Sequence, residues 1–285
     1  MSAIADLLLD PATPDEVVAR HAATAAGADL DGLARDEARL LRHPAIVAAL
    51  FANPQAPMAL VEWAVAACAR AGVRVEPIPG FDELAAALVT DLVSGAGVGG
   101  AVTPAGPSAF EQVLADSARL AAEDDLVAEA GVAEGSSMAP ASAPARARKS
   151  AVIDFGKLKL FEKIRLATLG NAFCRQTLLR DSNRLVAMAA IRSPGITDAE
   201  VIRASGNRAV SEDVIRYIAN NKEHVKLYAV KMNLVGNPKC PVALSLRLLS
   251  HLRAEDLKNI ARSKNVPSAL STAAKKLSMA RSTQG

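Results

Sequence analysis

From Arg180 to Pro241 the chain reads RDSNRLVAMAAIRSPGITDAEVIRASGNRAVSEDVIRYIANNKEHVKLYAVKMNLVGNPKCP. It falls into short apolar runs separated by one recurring joint. A Pro or a small polar residue ends one helix, and a Thr, Ser or Pro three residues later starts the next. Ser193-Pro194 precedes Thr197, which with Glu200 makes a capping box ahead of Val201 and Ile202. Gly206-Asn207 precedes Ser211, an N-cap with Glu212 and Asp213 in the first turn, where carboxylates favour the helix dipole. Val214, Ile215 and Ile218 share one face, and Asn220-Asn221 ends that helix. The same periodicity places Tyr217 and Tyr228 in the core. Helices this short, joined this tightly, bury their apolar faces by stacking on one another.

The grammar extends in both directions. Downstream, Asn237-Pro238-Lys239-Cys240-Pro241 is followed by KNVPSAL; upstream, Asn53-Pro54-Gln55-Ala56-Pro57 separates a helix over 43–52 from one bearing Leu60, Val61, Ala64, Val65 and Cys68. Near the start, Thr13 is positioned as an N-cap, Pro14 as N1 and Glu16 as N3. Phe81 to Val93 is the last helical pattern of this half. An opening helix over about 157–169, with Phe161, Ile164, Leu166 and Leu169, begins the second half.

Composition agrees with helices throughout. Of 285 residues, 51% are apolar but only 3% aromatic, so the core is built from Ala, Leu, Val and Ile. The expected fold class is all-α, an irregular α-solenoid in two segments joined by a flexible linker. The boundaries are 1–94 for an acidic N-terminal segment, 95–150 for the linker and 151–285 for a basic C-terminal domain. The linker carries GAGVGGAVTPAGPS and GSSMAPASAPARARKS, compositions that bury too little apolar surface to offset the entropy of ordering. Within it, 110–130 is acidic with helical period, a helix that docks on a partner, folds back on 151–285, or forms only transiently in the tether. The competing reading of the whole is a non-repetitive bundle that uses Pro often at helix starts.

The units NPQAPMALVEWA and NPKCPVALSLRLL resemble the joint of leucine-rich-repeat-variant and HEAT-like α-solenoids, in which Asn-Pro-x-x-Pro precedes a Leu-rich helix. Residues of about 157–280 are further similar to a family of uncharacterised bacterial helical-repeat proteins. The resemblance implies a fold and no activity. Some variant-repeat proteins carry an iron–sulfur cluster; Cys68, Cys174 and Cys240 form no cluster in sequence, so no cofactor is expected.

Few residues carry recognisable chemistry. Gly95-Ala96-Gly97-Val98-Gly99-Gly100 satisfies G-x-G-x-x-G but follows a helical pattern and leads into TPAGPS, so it reads as linker glycine. His21, His43, His224 and His251 are scattered, with no metal-binding spacing, and no Ser sits in a nucleophile elbow. The expectation is a protein that is not an enzyme. The start, MSAIADLLLDPATPDE, lacks a secretion signal's basic start and apolar run, and no window of about 18 uninterrupted apolar residues exists. A cytoplasmic location without a membrane span is expected.

Charge supplies the functional signal. Residues 1–145 hold 7 Lys and Arg against 20 Asp and Glu, whereas residues 146–285 hold 26 against 10. A positive field of that kind attracts acidic partners. The candidate binding residues are Arg180, Arg184, Arg192, Arg208, Arg216, Lys222 and Lys226. Arg180 with Arg184, and Lys222 with Lys226, fall at i, i+4, where like charges on one helix repel by about 0.2–0.5 kcal/mol. The leading expectation is a scaffold or adaptor that binds an acidic protein segment. Nucleic-acid binding through phosphate contacts is the alternative, and a helical-repeat DNA glycosylase the third, lacking a positioned acid or base.

Overall fold

A computed structural model describes residues 3–30, 32–33, 36–93, 110–119, 155–263 and 265–282. Among them every regular element is helical. The expected linker outside 110–119, its glycine run and the acidic residues 120–130 lie outside the described residues. The chain divides into two compact units, Met1–Cys174 and Arg175–Gly285.

Unit 1 contains α1 (Ala3–Leu9), α2 (Asp15–Ala22), α3 (Gly27–Leu30), α4 (Glu37–Arg42), α5 (Pro44–Ala52), α6 (Met58–Arg70), α7 (Phe81–Val93), α8 (110–119), a 3-10 turn (Phe155–Lys157) and α9 (Leu160–Leu169). Its core packs Val18 and Ala22 of α2, Leu40 of α4, Ile46, Val47 and Leu50 of α5 and Val61, Ala64 and Val65 of α6. Helix α9, which the sequence pattern sets at the head of the basic segment, packs on α5, with the Phe51 and Phe161 rings edge to face at 5.9 Å. Helix α8 buries Phe110 against this side, and Asn171 Nδ2 donates to Ser117 O at 2.6 Å. Helix α6 ends in a Schellman motif: Gly72 takes φ +69°, and Val73 N–H reaches Cys68 O at 2.9 Å, a conformation only glycine adopts without strain.

The division falls within α10 (Ala172–Leu178). Unit 2 continues with α11 (Arg184–Ile191), α12 (Asp198–Gly206), α13 (Glu212–Asn220), α14 (Lys222–Lys226), α15 (Tyr228–Gly236), α16 (Val242–Leu249), α17 (Ala254–Arg262) and α18 (Ser268–Ser282). Its core is Val186, Ala189 and Ala190; Val214, Ile215 and Ile218; Val230 and Leu234; Leu248 and Leu249; then Leu257, Leu270 and Ala274.

The joints have one shape. Pro14, Pro57 and Pro241 stand at N-caps with φ between −57° and −54° and ψ between 132° and 137°, and each offers its carbonyl at 3.1 Å to the N–H four residues on, in Val18, Val61 and Ser245. This corrects the placing of Pro14 at N1. Thr13 stands one residue before the N-cap, and its carbonyl accepts from Arg39. At Thr197 the capping box forms as expected: Thr197 N–H donates to Glu200 Oε2 at 2.8 Å, and Glu200 N–H to Thr197 Oγ1 at 3.4 Å. Ser211 occupies its N-cap, but its Oγ is buried without a hydrogen-bond partner.

Asparagine ties the two Asn-Pro joints to a helix about thirty residues upstream. Asn53 Oδ1 accepts from Gln55 N–H at 2.9 Å, while its Nδ2 donates to Ala22 O and Ala25 O, both at 2.9 Å. Asn237 repeats this with Lys239 N–H at 3.0 Å and Ser205 O at 2.9 Å. Side-chain bonds to main-chain carbonyls recur in the two units at separations of 28 to 32 residues, from Asn53, Asn233, Asn237, Lys239, Arg247 and Arg281. A joint carbonyl left bare in the interior would cost roughly 1–3 kcal/mol. These amides and cations remove that cost.

Candidate basic interface

The cations of unit 2 fall into two groups, the first bonded to a buried carboxylate or to main-chain carbonyls 25 to 31 residues away, the second the seven candidate binding residues. Arg175 belongs to the first. Its Nε and Nη2 clasp Glu200 Oε1 and Oε2 at 3.0 and 3.1 Å, with both side chains buried. Burial alone would push the Glu200 carboxyl up, but the Arg175 fork together with the Thr197 amide and hydroxyl holds it below the ordinary carboxylate range. Lys239 Nζ donates to Val210 O at 2.8 Å, Arg247 Nη2 to Ala219 O at 3.2 Å, and Arg281 to the carbonyls of Ser250 and Leu252. Holding the fold is therefore one reason this half is rich in Lys and Arg.

All seven candidate binding residues are exposed, and the structure scatters them over several elements. Arg180 lies in the turn after α10 and Arg184 at the start of α11, so the two are not neighbours on one helix as their spacing suggested; the turn at Asp181–Asn183 intervenes. Arg180 Nε donates to Gln176 O at 3.3 Å, and Arg184 pairs with Asp213 at 2.9 Å. Arg216 pairs with Glu212 along α13, and Lys226 with Glu223 on α14, so the expected Lys222–Lys226 repulsion is partly relieved by a carboxylate between them. Arg208 and Lys222 have no side-chain partner among the described residues.

Arg192 lies over the Tyr217 ring, 5.1 Å from its centroid, and Tyr217 in turn meets the His224 ring edge-on at 6.1 Å. Burial pushes the His224 imidazole below its ordinary pKa, against the pull of Asp198 and Glu223. Neither tyrosine is a core residue. Tyr217 is half-buried beneath Arg192, and Tyr228 is half-buried with its hydroxyl donating to Asp256 and accepting from Arg253 N–H at 3.0 Å. A polar hydroxyl on an otherwise apolar stripe favours the margin, and that of Tyr228 finds two partners there.

No family model, curated protein or solved structure matches this chain. Burial pushes the thiols of Cys68 and Cys240 upward, the reverse of what activates a cysteine. Among the described residues no three His, Cys, Asp or Glu side chains group to hold a metal ion, and no helix is long and apolar enough to cross a membrane. A cleft of about 340 Å3 in unit 1, between Val73 and Phe81, has the Arg74–Asp82 ion pair among its lining and contains none of the candidate cations.

Periodicity missed two buried arginines of unit 1. Arg39 donates to Asp15 Oδ1 at 2.7 Å, to Asp10 O at 3.0 Å and to Thr13 O, and this hydrogen bond, with His43 and Arg42 nearby, holds the Asp15 carboxyl below its ordinary pKa. Arg165 is wholly buried, and burial lowers its pKa to about 10. The signal for it was present: Arg165 stands four residues after Phe161 and four before Leu169, inside the apolar stripe of α9.

Proposed function

We propose that unit 2 is a helical-repeat interaction module, an irregular HEAT-like α-solenoid, and that the protein is a non-enzymatic cytoplasmic scaffold or adaptor whose basic module binds an acidic protein segment. The recurrence of side-chain to main-chain bonds at about thirty-residue separations supports the repeat reading. One observation carries the functional part. Other cations, at Arg175, Lys239, Arg247 and Arg281, serve the buried carboxylate and main-chain carbonyls, whereas Arg180, Arg184, Arg192, Arg208, Arg216, Lys222 and Lys226 are all exposed, three of them in surface ion pairs and Arg208 and Lys222 without a side-chain partner among the described residues. Residues 175–285 hold 19 Lys and Arg against 8 Asp and Glu. Such a field speeds encounter with a negative partner and weakens with salt.

The test uses the full chain and a labelled oligoglutamate peptide, read by fluorescence anisotropy. Binding should weaken steadily with added salt and should drop on reversing both unpaired cations, Arg208→Glu with Lys222→Glu. Failure of the peptide to bind at low salt ends the reading. Tighter retention of duplex DNA than of peptide at about 200 mM salt replaces it with phosphate-backbone binding.

A further inference from the structure

Helix α16 combines two features. First, Val242 and Leu246, one turn apart, are 38% and 39% exposed, although both are large and apolar. Its inner face is fully used: Ser245, Leu248 and Leu249 are buried. The outer ridge of Val242, Ala243 and Leu246 is therefore left over after packing. Second, no Asp or Glu occurs between Glu223 and Glu255, a stretch holding Lys226, Lys231, Lys239, Arg247 and Arg253. The ridge sits in the middle of the longest acid-free part of the module.

Two bonds fix what lies beside it. Lys239 reaches Val210 O, just before α13, and Arg247 reaches Ala219 O, at its end. These bonds tie the chain just before α16, and its C-terminal turn, to main-chain carbonyls before and at the end of α13. The two acidic residues at the start of α13 are already engaged, Glu212 by Arg216 and Asp213 by Arg184. An apolar ridge is thus flanked by Lys239 and Arg247 at its two ends.

We infer that the outer face of α16 is the docking ridge for an amphipathic acidic helix of a partner protein, with two apolar side chains one turn apart seated on Val242 and Leu246 and with carboxylates facing the N–H donors that the exposed Lys239 and Arg247 keep after their single carbonyl bonds. This rests on the reading of unit 2 as a binder of acidic segments and adds the form of the ligand. Helix-on-helix recognition of this kind takes its register from apolar anchors at i and i+4 and its orientation from the charged flanks. Cations alone would accept any acidic chain. The ridge makes the module choose helices that carry a hydrophobic stripe.

The test compares two labelled synthetic peptides on the full chain, each about 18 residues, or five helical turns. One carries Leu at i, i+4 spacing in a Glu-rich helix; the other has Gln at those Leu positions. The Leu peptide should bind at least about tenfold more tightly, equivalent to about 1.4 kcal/mol. Val242→Gln with Leu246→Gln should erase that difference and leave the salt-sensitive binding of the Gln peptide intact. If thermal melting shows this variant misfolded, Val242→Ala with Leu246→Ala should reduce the difference instead. Equal binding of both peptides overturns this inference alone, whereas binding of neither overturns the parent reading too. It is also overturned if the double variant abolishes self-association in sedimentation, or abolishes binding to phosphatidylserine-containing vesicles while peptide binding is unchanged. The ridge would then serve a second copy or a lipid surface.

Discussion

Arg165 and Asn53, 112 residues apart in sequence, meet in the interior of unit 1, where the arginine Nη2 lies 2.5 Å from the asparagine carbonyl. The same nitrogen reaches Ala56 O at 3.0 Å, Nε reaches Phe51 O at 3.3 Å, Nη1 lies 3.1 Å from Met58 Sδ, and the guanidinium covers the Phe110 ring at 4.9 Å. One side chain thus satisfies the carbonyls of the Asn53–Pro57 joint and connects it to α8. A planar fork with five N–H donors can do this, and an ammonium cannot.

Arg165→Leu should accordingly cost unit 1 about 3 kcal/mol or more, because it strands several buried carbonyls. Arg165→Lys should recover only part of that. Trp63, the single tryptophan, lies on α6 in unit 1, so its fluorescence in a urea titration reports this unit. A midpoint unchanged in Arg165→Leu would refute the role.

Glu200 gives a dependence on acid. Its folded pKa is depressed, so in the window just below the ordinary carboxylate range the unfolded chain binds the extra proton. Stability is then fully present above the unfolded pKa and is lost as pH falls through the folded one. Melting of unit 2 should fall as the pH drops from about 5 to 3. Glu200→Gln should start lower by about 3 kcal/mol at neutral pH, since Arg175 keeps its charge without a partner, and should show a flatter acid limb. Parallel acid limbs for the two proteins would contradict this.

The two joint asparagines should differ in a defined order. Asn53→Ala removes donors from two buried carbonyls and Asn237→Ala from one, so expected losses are about 2 and 1 kcal/mol. Asn237→Asp should be worse than Asn237→Ala, because a carboxylate keeps the Lys239 N–H bond but faces Ser205 O with no hydrogen to offer. Chemical denaturation of the three variants orders them directly.

Ser245 should be improvable. Its side chain is fully buried and its Oγ has no conventional hydrogen-bond partner, while the nearby Cys240 thiol is only a weak one. Ser245→Ala should raise stability by about 0.5–1 kcal/mol. A fall in melting temperature would mean the hydroxyl is satisfied after all.

Helix boundaries were readable from sequence because caps are local. Phe81–Val93 and Glu212–Asn220 begin and end where the residues indicate, and the Thr197–Glu200 box needs only four consecutive positions. What lies across the joints was not readable. A charged residue in a basic segment looks the same whether it faces water, as Arg208 does, or clasps a carboxylate 25 residues away, as Arg175 does. The candidate cations were selected by sign, and nothing in a local window separates the exposed from the structural. Tyr217 was misplaced for a related reason: periodicity assigns a face, but the hydroxyl and Arg192 decide how deep the ring sits.

The reach of Arg165 also sets an order of events during synthesis. At roughly 5–20 residues per second, the ribosome finishes the Asn53–Pro57 segment several seconds before the arginine that will cover its carbonyls is made. Through that interval the nascent N-terminal part waits with its polar seam open to water, and it closes only when the later helix emerges.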